Sequence, residues 1–257
     1  MPAADLPLLI DAARAAGEIA RPYWRADPQV WDKSGGQGPV TEADLAVDRA
    51  LRETLLAARP DYGWLSEETA DDETRLHRKR VFIVDPIDGT RAFVEGQESW
   101  AHSIAVAEQG RITAAVVHLP IRERLYAAAR GEGATLDGTP IRVSRATDPD
   151  TALVLAARFN FDPQHWRTGV PGFARHFRPS LAYRLGLVAE GRFDAMLSLR
   201  DAWEWDIAAG SLIVSEAGGT VTDRHGAPIG FNSPLRRSSG VVASAPALHT
   251  ALRARMA

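Results

Sequence analysis

The stretch VFIVDPIDGTRAF, Val81 to Phe93, constrains this chain more than any other. A run of strand-forming residues leads straight into Asp85, and Pro86, Ile87, Asp88, Gly89 and Thr90 follow. Pro86 fixes its own φ and biases Asp85 toward extended geometry, so the strand is expected to turn abruptly after Asp85. Gly89 admits conformations closed to other residues, and the residues beyond it can open a helix with unpaired N–H groups. Such a turn projects two carboxylates and several backbone donors into one space. The carboxylates favour a divalent cation between them, and the donors favour a phosphate. An ordinary turn with Asp88 as a helix cap would use the same residues, and the hexapeptide alone leaves both readings open. Two residues separate the aspartates where the D-x-D-x-T signature has one, which counts against an aspartyl-phosphate intermediate.

The chain contains no cysteine, so disulfides and thiolate chemistry are excluded. Any metal must then be held by oxygen or imidazole, which points to hard cations such as Mg²⁺. The 257 residues, 45% hydrophobic and 25% charged, can bury the core of one large domain or of two joined halves. The formal net charge is -3. The one basic run, His77-Arg78-Lys79-Arg80, reads as a solvated helix end, so no nucleic-acid partner is expected. The N-terminal stretch reads as an amphipathic helix with no leader pattern. No apolar run approaches the roughly 20 residues that span a bilayer. A cytoplasmic protein without a membrane partner is the expectation.

Leu8, Leu9, Ala12, Ala13, Ala16 and Ile19 recur at helical spacing, and Pro22 should end that helix near Arg21. Asp32 to Val40 is a glycine-rich loop. Thr41 is placed to N-cap a second helix with Val47, Leu51 and Leu55 on one face. VFIVD, SIAVAEQ, ITAAVVHL and RLYAAAR read as strands, and Asp137-Gly138 as a hairpin turn. The polar segment Arg145 to Thr151 is the best internal boundary, dividing residues 1–146 from 147–257. Beyond it come LVLAAR, a helix in SLAYRLGLVAEG, a strand in DAMLSL, and a helix from Asp206 ended by Gly218. This mixture fits a layered α/β arrangement.

Two further acidic spots matter. Glu67 and Glu68 follow the apolar stretch YGWL where a strand would meet a loop, and Glu68 is expected to be structural or solvent-facing. Asp206 opens a helix, a position an aspartate favours by itself. Taken with VDPIDGT (Val84 to Thr90), EWDIAAGSLIVSEAGG (Glu204 to Gly219), SEET and PVTEAD, the chain resembles the inositol monophosphatase superfamily. These are Mg²⁺-dependent, lithium-sensitive phosphomonoesterases, and the motifs occur in the family's order from about Leu8 to Ala245.

The resemblance implies a layered αβαβα sugar-phosphatase fold, two or three Mg²⁺ ions and a homodimer. It implies that Glu67, Asp85 and the carbonyl of Ile87 bind one ion, and that Asp85, Asp88 and Asp206 bind another. Glu67 and Asp44 would serve an outer position. Thr90 would orient the attacking water with Asp44 behind its hydroxyl, and the Gly89 and Thr90 N–H groups would hold the phosphate. The reaction implied is hydrolysis of a small-molecule phosphate monoester.

For the substrate, family members acting on inositol phosphates place a glutamate seven residues before the aspartate of the W-D motif. Here that residue is Leu199, with Asp201 or Glu204 as substitutes for it. SLAYRLGLVAEG followed by EWD looks more like the 3'(2'),5'-bisphosphate nucleotidase branch, although its S-S-L-K lysine and P-R-x-G-P-T stretch are missing. The reading leans to 3'-phosphoadenosine 5'-phosphate. Inositol 1-phosphate, histidinol phosphate and a non-catalytic phosphometabolite-binding role are the alternatives. Arg184 and Arg200 are expected mainly in surface ion pairs. Trp203 is the residue to test for ligand stacking and Trp205 is expected in the core. His102 and His118 are given no chemistry.

Overall fold

Period-two alternation in VFIVD decides how the protein is layered. Phe82 and Val84 face one core while Val81 and Ile83 face another, all of them buried. A strand buried on both faces needs cover on both, and helices supply it. The computed structural model describes residues 4–33 and 38–257. The middle of the expected glycine-rich loop, residues 34–37, lies outside the described residues.

Helix α1 (Leu6–Ala20) and helix α2 (Glu42–Ala58) form the first layer. A short antiparallel pair, β1 (Val30–Asp32) and β2 (Pro39–Thr41), leads into α2. Thr41 caps α2 as expected, and Asp44 completes a reciprocal capping box by accepting from the Thr41 backbone. Val47, Leu51 and Leu55 are the face that α2 buries.

The second layer is a seven-stranded sheet in sequence order. It contains β3 (Gly63–Ser66), β4 (Arg80–Asp88), β5 (Ala101–Glu108), β6 (Arg111–Leu119), β7 (Arg124–Ala129), β8 (Ala134–Leu136) and β9 (Thr139–Pro140). Only β3 and β4 are parallel. The β8–β9 turn is the expected Asp-Gly hairpin, with Asp137 and Gly138 both at positive φ (51° and 78°). Following β4, α3 (Thr90–Val94) starts at Gly89, whose φ of 100° explains why a glycine stands there.

Beyond Pro140, β10 (Leu153–Ala156), β11 (Ala174–His176), α4 (Leu181–Ala189) and β12 (Ala195–Ser198) follow in order. A two-residue strand β13 (Ala202–Trp203) then opens α5 (Glu204–Glu216). The chain ends with β14 (Thr220–Thr222), β15 (Arg237–Ser238), β16 (Val241–Ser244) and α6 (Pro246–Arg255). Strands β11-β10-β12-β16-β14 make a five-stranded sheet, and β13 pairs with β15.

Helices α4 and α5 lie between the two sheets, where Leu185, Ile213 and Ala209 meet Ile83, Met196 and Val241 in one core. Leu248 and Leu252 of α6 cover the outer face of the five-stranded sheet. The order of layers is α, β, α, β, α.

One expectation is corrected here. The strand does not turn after Asp85; β4 runs to Asp88 with a shift in register, Asp85 opposite Ser103 and Asp88 opposite Ala101. Three residues of β4 thus advance against two of β5. A bulge absorbs Pro86, which cannot donate to the ladder, without ending the strand.

Candidate active site

The bulge in β4, the end of β3 and the first turn of α5 meet at one point. One carboxylate oxygen each from Glu67, Asp85 and Asp206 lies within 4.8 Å of the others. Glu67 follows β3, whose parallel pairing with β4 sets it beside the bulge; its N–H donates to Val84 O at 3.2 Å. Asp206 is the third residue of α5, where the unpaired N–H groups of the helix start favour a negative charge. Asp85 is buried, and its Oδ1 has no hydrogen-bond partner among the described residues.

Asp88 sits apart from that triad in its bonding. Its Oδ2 accepts from Ser180 Oγ (2.7 Å) and from the Ala182 N–H (2.6 Å) at the start of α4. The same Ser180 oxygen accepts from the Tyr183 N–H at 2.9 Å and caps α4. Asp88 therefore ties the bulge to the middle helix layer.

Burial is the first cause of the shifts in this cluster. It pushes the Asp85 carboxyl well above the usual range, and the neighbouring Glu67, Asp88 and Asp206 raise it further. Asp206 is likewise raised, by burial, Asp88 and Glu67. Burial brings Asp88 up to about 6 against the opposing bonds from Ser180 and the α4 N-terminus. Four carboxylates in one place, one with an orphaned oxygen, fit a bound divalent cation with hard oxygen ligands. The donor set contains no sulfur or imidazole, which suits Mg²⁺ over softer metals.

Behind the cluster, Thr90 Oγ lies 3.3 Å from Asp44 Oδ1 and 3.2 Å from the Ile87 carbonyl. Asp44 is buried and raised to about 6, chiefly by burial, with the Thr41 bonds opposing. Gly89 and Thr90 line a cavity of about 530 Å³ with Glu67, Asp88 and Asp206 on its floor.

Several expectations are corrected. Trp203 does not line this cavity; its ring stacks on Trp205 (4.7 Å, 12°) with the Arg237 guanidinium 3.7 Å from its centroid. Pairing of β13 with β15 turns it toward that arginine. Trp205 is buried in the core, as expected. Leu199 is also absent from the cavity. It is packed under α6, so its apolar character answers to that core. Neither substitute for it is free, since Glu204 accepts from the Asn232 and Ser233 N–H groups and Asp201 pairs with Arg224. For Glu68 the structural of its two expected roles holds: its buried carboxylate accepts from Lys33 Nζ at 2.6 Å and burial raises it to about 7. Arg184 forms no ion pair among the described residues. It is buried and donates to the carbonyls of Arg178 and Pro179.

Three further residues support the site: Lys33 and Arg75, which no motif marks, and His102, to which the sequence assigns no chemistry. Lys33 bridges Glu67 (2.7 Å) and Glu68, and being one of only two lysines in the chain was its one signal. Buried His102 meets the Pro86 carbonyl through Nδ1, and burial pushes its imidazole down to about 3. The ring is therefore neutral and donates to the bulge. Buried Arg75 joins Asp71, Asn232 and the Ser233 carbonyl, next to the bonds that hold Glu204.

The profile of the inositol monophosphatase family matches residues 4–257. The inositol-1-monophosphatase of Rhizobium meliloti is 35% identical over 232 residues, 86% of each chain. The Nus factor SuhB of Escherichia coli K12 is 34% identical, covering 98% of this chain and 95% of its own. Among solved structures, the extragenic suppressor protein suhB of Bartonella henselae superposes with a TM-score of 0.83 at 30% identity, covering 98% of this chain and 97% of its own. The inositol monophosphatase of Thermotoga maritima gives 0.83 at 29%, with 97% and 95% covered.

Proposed function

This chain belongs to the inositol monophosphatase family of metal-dependent phosphoric monoester hydrolases, and from that premise we propose that it uses Mg²⁺ to hydrolyse a small phosphorylated metabolite at the cavity floored by Glu67, Asp88 and Asp206. The observation that carries the reading is the convergence of Glu67, Asp85 and Asp206 with the orphaned Asp85 Oδ1. On this reading Glu67, Asp85, Asp88, Asp206 and the Ile87 carbonyl hold the ions. When bound, Mg²⁺ supplies charge against the phosphate and the leaving alkoxide and makes a water more acidic.

The chain's own groups do the rest. Thr90 has a single hydroxyl proton; donated to Asp44, it leaves the oxygen lone pairs free to accept from the attacking water. The Gly89 and Thr90 N–H groups orient the phosphate. Water adds to phosphorus, the ester P–O bond breaks, and the alcohol departs with a proton, giving inorganic phosphate. Lys33 neutralises part of the charge that Glu67 and Glu68 bring to the cluster.

The proposed substrate is a 3'(2'),5'-bisphosphate nucleotide. The absence of Leu199, Asp201 and Glu204 from the cavity lining weighs against inositol, since none is placed to bind ring hydroxyls there. The inositol-1-monophosphatase named among the relatives makes inositol 1-phosphate the alternative. A homodimer at work in the cytoplasm is part of the proposal. A phosphate-release panel in Mg²⁺ tests it, comparing 3'-phosphoadenosine 5'-phosphate, inositol 1-phosphate, histidinol phosphate and fructose 1,6-bisphosphate. The bisphosphate nucleotide is expected to give the highest kcat/KM. A higher value for inositol 1-phosphate would overturn the lean, and no release from any of them would overturn the hydrolase reading.

A further inference from the structure

We propose that the mouth of this cavity is a two-part clamp, in which Arg91 takes a second phosphate of the substrate and the Phe177 ring stacks on its nucleobase. The proposal rests on the phosphatase reading above and names the groups that would select a nucleotide. Both side chains line the same cavity as the acidic floor, together with Glu95 and Gln97. Its volume of about 530 Å³ suits a nucleotide-sized ligand.

Arg91 follows Thr90 directly and lies in the single turn of α3, three residues beyond Asp88. It is exposed, and among the described residues it pairs with no carboxylate. Glu95, one turn on, turns its carboxylate to the Gln97 amide at 2.6 Å and leaves the guanidinium alone. An exposed arginine is commonplace on a surface. An arginine without a carboxylate partner among the described residues, lining a cavity that also carries acidic metal-binding candidates, is a ready donor fork for a second phosphate.

Phe177 reaches the cavity from a different segment of the chain. It follows β11, three residues before Ser180, whose hydroxyl donates to Asp88. The ring is 47% exposed, and a lone exposed phenylalanine would need no explanation. This one is held in place: the Arg184 guanidinium lies 4.4 Å from its centroid, and Arg184 is itself buried and fixed on the carbonyls of Arg178 and Pro179. The cation holds the ring in position while much of it stays open toward the cavity, which is the form of a stacking platform. Arg91 and Phe177 thus line one cavity from two segments that both lead to Asp88, one through α3 and the other through Ser180. A substrate with one phosphate at the acids, a second at Arg91 and a planar base on Phe177 uses the unpaired cation and the exposed ring together.

The test compares kcat/KM in Mg²⁺ for adenosine 3',5'-bisphosphate, adenosine 3'-monophosphate and inositol 1-phosphate. The proteins are the wild type, Arg91→Gln, Arg91→Lys and Phe177→Ala. Arg91→Gln should lower the bisphosphate-to-monophosphate ratio about 10-fold or more, and Arg91→Lys should restore part of it. Phe177→Ala should lower the ratio of adenosine 3'-monophosphate to inositol 1-phosphate about 10-fold. Equal losses on all three substrates would overturn the clamp while leaving the phosphatase reading intact. If the wild type releases no phosphate, that reading fails, and calorimetry with adenosine 3',5'-bisphosphate decides the clamp. Affinity lost about 10-fold in both Arg91→Gln and Phe177→Ala supports it, and equal affinity or no binding overturns it.

Discussion

At the scale of single residues, Leu199 and Trp203 teach the most, because each carries a different role in the fold from the one its motif position suggests. Counting seven residues back from Asp206 reaches Leu199, yet the short β13 between them redirects the chain. The Leu199 side chain ends under α6 beside Leu248 and Leu252. Spacing along a chain locates a side chain only while the element between the two points keeps its geometry. Leu199→Ala should therefore cost about 3 kcal/mol of stability through the cavity it leaves and should not change substrate preference. Urea unfolding and the phosphate-release panel measure the two halves; a changed preference at unchanged stability would return Leu199 to the substrate wall. By contrast, Asp85, Asp88, Glu67 and Asp206 were legible in the sequence. Each stands where an apolar run ends or a helix begins, and such places are visible without coordinates.

At the scale of elements, α5 joins the site to the rest of the molecule. Its first residue, Glu204, is fully buried and accepts from the Asn232 N–H (2.5 Å) and the Ser233 N–H (2.9 Å). Arg75, more than 150 residues away in the chain, holds Asn232 and Ser233 from the N-terminal side. Asp206 is two residues from Glu204 on the same helical turn, so this network sets where its carboxylate lies. Glu204→Gln keeps the shape but weakens two charge-assisted bonds. It should lower stability by about 1.5–3 kcal/mol and weaken Mg²⁺ binding measured by calorimetry, with helix content unchanged. Unaltered Mg²⁺ affinity would separate the network from the site. The helices and most strands followed from periodicity and capping, as Thr41 and the Asp137-Gly138 turn did. The long-range bonds of Arg75, and the bulge that carries β4 past Pro86, depend on partners in β5 and residues 232–233 that no local pattern reveals.

At the scale of the whole molecule, the acidic cluster concentrates buried negative charge that a bound cation would relieve. Asp44 and Asp88 are raised to about 6 and Glu68 to about 7, and Asp85 and Asp206 are raised as well, so the folded state holds protons that the unfolded state has released. A raised carboxyl contributes stability that is fully present below its unfolded value, near pH 4, and is lost as pH climbs through its folded value. The cluster's contribution to the metal-free protein should fall between about pH 4 and pH 7. Asp85→Asn should flatten that fall in thermal melts, and an identical slope in variant and wild type would contradict the assignment. Mg²⁺ should offset the loss at neutral pH, by about 2.7 kcal/mol when present at 100 times its Kd. The most direct test of the central claim is phosphate release by chelator-treated wild type and Asp206→Asn across a Mg²⁺ titration. The account predicts no release without metal, saturable recovery with Mg²⁺ in the wild type, and a loss of at least about 10²-fold in the variant with its helix content intact. Release that survives chelation, or full activity in Asp206→Asn, would contradict it.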